Sequence, residues 1–144
     1  MRVPARSVPA ACALAGVAAG LVLGGCGGVR AADLFLLQRS GNVAGAKLTL
    51  LVNEEGGVRC NGGRTRKLSD PRLIEARVIT EDLRDPASHH LSLAPRPGAV
   101  LGYDVLTEKG RVRFAENSAG QPDVLHRLAL FALQTAQQVC GLPM

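Results

Sequence analysis

Aromatic side chains are scarce: the 144 residues contain one Tyr, three Phe and no Trp. A core of Leu, Val, Ile and Ala is therefore expected. Lysine is also rare, confined to Lys47, Lys67 and Lys109. No run of basic residues exists and aromatics are not interleaved with basic ones, so the chain lacks the footprint of a nucleic-acid binder. No CxxC pair is present, and no His stands at metal-ligand spacing from a cysteine. GxSxG, P-loop and GxGxxG patterns are missing, which removes the nucleophile elbow and the phosphate cradles. "GGVRCNGG" has the glycines but no following helix with Lys and Ser/Thr at the needed offsets. Carboxylates occur singly; Glu54 and Glu55 sit in a turn. Nothing reads as an acid–base pair, so no catalytic residues are expected and the chain is read as a non-enzyme.

What is there begins at the N-terminus. Arg2 and Arg6 make a short positive segment, "SVPAACALAGVAAGLVL" an uncharged apolar one, and small residues follow. These are the three parts of a secretory signal. "LGGC", Leu23 to Cys26, resembles the lipobox of bacterial lipoproteins. The resemblance implies thioether attachment of diacylglycerol to Cys26 and cleavage before it, giving a signal peptide 1–25 and a lipidated Cys26 with a tether through residue 32. The implied location is the extracytoplasmic face of the cell membrane, with the covalent lipid the only non-protein group expected. Two other readings of the same stretch stay open. Ser7 to Val29 is long enough to span a bilayer, and "VRA" offers a site for ordinary secretion. All three put the folded part outside the cytoplasm.

The four cysteines are Cys12, Cys26, Cys60 and Cys140. If Cys12 leaves with the signal and Cys26 takes lipid, two remain for an oxidising compartment, where thiols pair. A Cys60–Cys140 bridge closes a loop of about 80 residues, worth roughly 4 kcal/mol by chain entropy. A reactive or metal-binding pair is the rival reading. Of the 17 Lys+Arg, two lie in the leader, leaving 15 against 12 Asp+Glu, a mild positive excess.

Residues 33–144 have the length of one domain. "DLFLLQRS" (33–40) and "AKLTLLVN" (46–53) read as strands around the turn "SGNVAG". Leu48, Leu50 and Val52 share one face, and Leu51 on the other suggests partial cover there too. "VRCN" (58–61) is a short third strand and "GGRTRK" a basic loop. Residues 69–85 predict a helix, with Ser69 or Asp70 as cap and Pro71 in the first turn. Leu73, Ala76, Ile79, Thr80 and Leu83 form its stripe, with Ile74 and Val78 on a second face. Asp85-Pro86 is expected to end it, leaving 86–98 irregular. "AVLGYDVLTEKGRVRFAE" (99–116) is a hairpin by alternation. Residues 122–140 predict a final helix with an apolar arc of Val124, Leu125, Leu128, Ala129, Ala132, Ala136 and Val139. His126, Arg127, Gln134 and Leu130 fall opposite. The order ββ(β)αββα gives an α+β domain, a small antiparallel sheet with two helices on one face. His89-His90 is read as a surface loop pair rather than a metal site, because sequence neighbours point apart.

"LQRSGNVAGAKLTL" resembles the N-terminal RSGG-x-AG hairpin of emfourin-like proteins, small inhibitors of thermolysin-class metalloproteases. Arg39, Ser40, Gly41, Ala44 and Gly45 match, and Asn42 replaces a glycine. "YDVLTEKGRVRF" followed by "QPDVLHRL" is similar to that family's second half. "EEGGVRCNGGRTRK", both Cys60 and Cys140, the lipobox and the tail after Leu133 depart from its pattern. The resemblance implies a protein partner, an exported protease, met by Arg39, Ser40, Gly41, Asn42, Val43, Ala44 and Gly45. The alternative is a structural or ligand-sensing envelope lipoprotein.

Overall fold

The computed structural model describes residues 32–143. Cys26, the leader and most of the tether lie outside the described residues. Six strands form one sheet: β1 (Asp33–Gly41), β2 (Leu48–Asn53), β3 (Gly57–Cys60), β4 (Arg66–Lys67), β5 (Leu101–Thr107) and β6 (Gly110–Ala115). Three helices join them: α1 (Asp70–Asp82), α2 (Arg84–Ser88) and α3 (Asp123–Gln138). The sheet order is β4-β3-β2-β1-β5-β6 and every neighbouring pair is antiparallel. The α+β class, the antiparallel sheet and the element order agree with the sequence reading, with two additions. The basic loop contains a two-residue strand, β4, and the expected 69–85 helix ends at Asp82, with a separate short helix over Arg84–Ser88 that takes in residues 86–88 of the segment expected to be irregular.

Alternation decides the layers. Phe35 and Leu37 on β1, Leu50 and Val52 on β2, Val58 on β3, Val105 on β5 and Val112 on β6 are fully buried. The helices lie over this face: Phe131 of α3 meets Phe35 edge-on, ring centres 6.0 Å apart, and Ala76, Ile79 and Leu83 seat α1. Arg72 joins the helices by donating to Gln134 at 2.7 Å while its guanidinium stacks 5.5 Å over Phe131. Arg127 pairs with Asp82 at the other end.

Pro86 does not break the chain, because it falls in the first turn of α2, where no N–H is needed. Ala87 is fully buried there. A side chain at Gly110 would meet the Ala87 carbonyl at 2.2 Å, so only glycine lets α2 sit this close to the β5–β6 turn. Ser69 is the N-cap residue of α1 but makes no side-chain cap bond, and Pro71 fills the first turn. Ile74 and Val78 are 60% and 45% exposed, so α1 buries one face and not two. On α3 the buried arc is rotated from the expected one: Phe131 and Thr135 are fully inside. Leu130 is 51% exposed.

Cys60 and Cys140 are bonded, with Cα atoms 6.3 Å apart. The bridge ties the chain just past α3 to the end of β3. Cys140 and Leu142 of the tail pack against the core there.

Candidate functional site

The turn between β1 and β2 is built around Arg39. The strand alternation sends its side chain to the covered face, where it is 6% exposed. Its Nε donates to the Ala46 carbonyl and its Nη2 to the Gly45 carbonyl, both at 2.9 Å. A buried guanidinium is tolerated because its donors are used. It also hydrogen-bonds the Tyr103 hydroxyl. Burial pushes the Tyr103 phenol up from its ordinary value, against the opposing pull of the Arg39 charge and hydrogen bond. Tyr103 stacks on Phe114 with centres 4.7 Å apart and ring planes 8° from parallel. Arg39 on β1 and Tyr103 on β5 are directly paired across the two strands.

Arg39 therefore supports the turn from beneath. Ser40, Gly41, Asn42, Val43, Ala44 and Gly45 are exposed and form its outer surface. Gly45 adopts φ +74°, the left-handed region that favours glycine. The Ala46 N–H closes the turn on the Val43 carbonyl at 3.1 Å. Gly41 is needed for a different reason: a Cβ there would lie 2.2 Å from the Val100 carbonyl oxygen. That close approach brings the segment before β5 against the turn, and the Asn42 N–H faces the same oxygen at 3.4 Å.

The segment is pinned from its other side by Glu116. Its carboxylate accepts the Val100 N–H at 2.6 Å and the Leu101 N–H at 2.8 Å. Burial alone would raise the Glu116 carboxyl, but these N–H groups outweigh it and hold it below the ordinary carboxylate range. Asn117 adds bonds to the backbone of Arg96 and Pro97. Between turn and segment lies an open groove of about 630 Å³, floored by Gly102 and walled by Ser40, Asn42, Leu93, Pro95 and Val100.

The three histidines stay apart from this site. His89 faces Asp85 at 3.4 Å on the surface of α2, and His90 is exposed with φ +51°. His126 is exposed. Among the described residues no three His, Cys, Asp or Glu converge in a way that could hold a metal ion, and no helix is long and apolar enough to cross a membrane. The sequence missed the groove, because its walls come from segments some 60 residues apart. The one signal available was Gly102, a glycine within an otherwise regular strand pattern. No known protein family, curated protein or solved structure matches the chain.

Proposed function

We infer that the protein is an exported, lipid-anchored, non-catalytic binding module, and that its 40–45 turn restrains a thermolysin-class metalloprotease. The observation that supports this reading most is the stiffness of the turn. A buried Arg39 holds two of its carbonyls, Gly41 presses it on the Val100 carbonyl, and its residues 40–45 are nevertheless exposed. A loop already fixed in shape loses little conformational entropy on binding, which favours inhibition. The resemblance of "RSGNVAG" to the emfourin hairpin supplies the class of partner.

The strand geometry is consistent with the anchor. A lipid on Cys26 would stand six residues before Ala32, within about 20 Å of chain. The chain enters β1 at Asp33, and the turn follows its other end at Gly41. Nine residues of strand separate the two ends by about 30 Å. On this reading the lipid lies nearer the Asp33 end of β1 than the turn, which leaves the turn open to a partner. Crosslinking of the lipidated protein in its own cells tests the partner: a metalloprotease joined through the 40–45 turn is expected, and envelope structural proteins alone would favour the structural-lipoprotein reading.

A further inference from the structure

The sheet has a second face that no helix covers among the described residues, and its central side chains fall in three transverse rows. The row nearest the 40–45 turn is small: Ser40 pairs with Gly102 and Gly102 with Ala115. The middle row holds Gln38, Asp104 and Arg113. The third places Leu51, Leu36 and Leu106 side by side, with Arg59 at one end and Arg111 at the other. The three leucines shield one another laterally and are only half-buried. The small row makes the floor of the groove beside the turn, and Val100, an exposed large apolar side chain, stands on its rim.

Across these rows the charges are unbalanced. Three arginines, Arg59, Arg111 and Arg113, stand against Asp104, whose Oδ2 already serves Arg111 at 3.3 Å and Arg113 at 3.1 Å, and Asp33, one row further out beside Asn53. Arg113 and Arg59 remain exposed. We propose that this open face docks an acidic, apolar-bearing polypeptide: one apolar side chain enters the groove over Gly102, and carboxylates along the same segment pair with Arg113, Arg111 and Arg59. The proposal deepens the protein-binding reading and rests on it for the class of partner, but not on that partner being a protease. A second copy of this chain is a poor occupant, because two such faces would oppose arginine to arginine. A lipid surface is also poor, because the leucines lie flush in the sheet and offer no protruding side chain to insert.

Gly102 supplies a clean block. Its backbone is ordinary strand, and a Cβ there meets only Ser40 Oγ at 3.5 Å, an ordinary contact. Gly102→Leu therefore fills the groove while leaving the strand intact. The probe is a short end-capped peptide of alternating Glu and Leu carrying a fluorophore, titrated by anisotropy against the full chain in detergent micelles. Its Lys–Leu counterpart and anionic phosphatidylglycerol vesicles are run beside it. Saturable binding of the Glu–Leu peptide is expected, weakened about tenfold or more by Gly102→Leu and by Arg113→Glu, and unchanged by Arg84→Glu on α2. Should Gly102→Leu fail to fold, Ser40→Phe on the exposed wall takes its place. Equal binding of the Lys–Leu peptide, no binding of the Glu–Leu peptide, or Glu–Leu binding indifferent to the groove variants overturns the proposal. So does Arg113-dependent binding of vesicles without peptide binding. Peptide binding without inhibition of any metalloprotease would remove the protease reading alone. Inhibition without peptide binding would remove this one alone.

Discussion

Replacing Arg39 by Met isolates what holds the 40–45 turn. Met keeps the length and apolar stem of the side chain, so the loss is the guanidinium. Two carbonyls lose a charged donor, Ala46 O through Nε and Gly45 O through Nη2, each at 2.9 Å, and the Tyr103 hydroxyl loses its bond to Arg39. Their fates differ. Ala46 is 3% exposed, so its carbonyl is left without a partner, at about 1.5–3 kcal/mol. Gly45 is exposed, so its carbonyl regains water and contributes little. Removing a buried charge returns part of the cost of desolvating it. The expected net loss is about 2 kcal/mol, which for a domain of this size lowers Tm by roughly 10 °C. The turn should also loosen locally. Amide exchange at Ala46, whose N–H bonds the Val43 carbonyl, should rise more than exchange at Leu37 in the middle of β1. Arg39→Lys should recover little, since one ammonium cannot reproduce the two-pronged geometry. Urea denaturation and hydrogen exchange by NMR read both effects. A variant as stable as the parent, with Ala46 exchange unchanged, would refute the role assigned to Arg39.

Four further outcomes follow from the packing. Gly41→Ala should cost about 1–3 kcal/mol, because its Cβ would sit 2.2 Å from the Val100 carbonyl; thermal melts check it. Cys60→Ala should lose roughly 2–5 kcal/mol in denaturant, and non-reducing peptide mapping of the parent should recover the Cys60–Cys140 crosslink. Glu116 has a lowered pKa, so its contribution is present above the ordinary carboxylate value and is lost as pH falls through the lowered one. The stability difference between the parent and Glu116→Gln should therefore shrink below about pH 4, followed by melts across pH. Thr135→Val should stabilise the fold by up to about 1 kcal/mol, since the buried Thr135 Oγ1 has no hydrogen-bond partner.

The strands and the two long helices were legible because they depend on local period. Leu48, Leu50 and Val52 alternate inward, and the 99–116 hairpin carries its own turn. The pairing of Cys60 with Cys140 followed from counting cysteines. What the sequence hid depends on contacts between distant segments. Ile74 and Val78 read as a second buried face, yet among the described residues they stay exposed. Leu51 reads as partly covered, and it is half-buried, with the cover coming from Leu36 and Arg59 beside it in its own sheet and not from a second layer of described residues. Phe131 lay outside the expected arc because the helix rotates to set its ring against Phe35. Arg39 matched the hairpin pattern as a contact residue, but strand alternation turns it inward, where it organises the turn. Pro86 read as a stop because a second helix starting at Arg84 leaves no periodic signal within five residues.

An inhibition titration tests most directly whether the rigid 40–45 turn occupies a protease. Residues 33–144, refolded with the Cys60–Cys140 bond, are titrated against secreted thermolysin-class metalloproteases from the same cells. The parent should inhibit at least one of them at micromolar concentration or below. Arg39→Met should inhibit more weakly, because a mobile turn must be ordered on binding, and a replaced 40–45 loop should not inhibit at all. No inhibition of any such protease by the folded parent, or equal inhibition after loop replacement, would contradict the account.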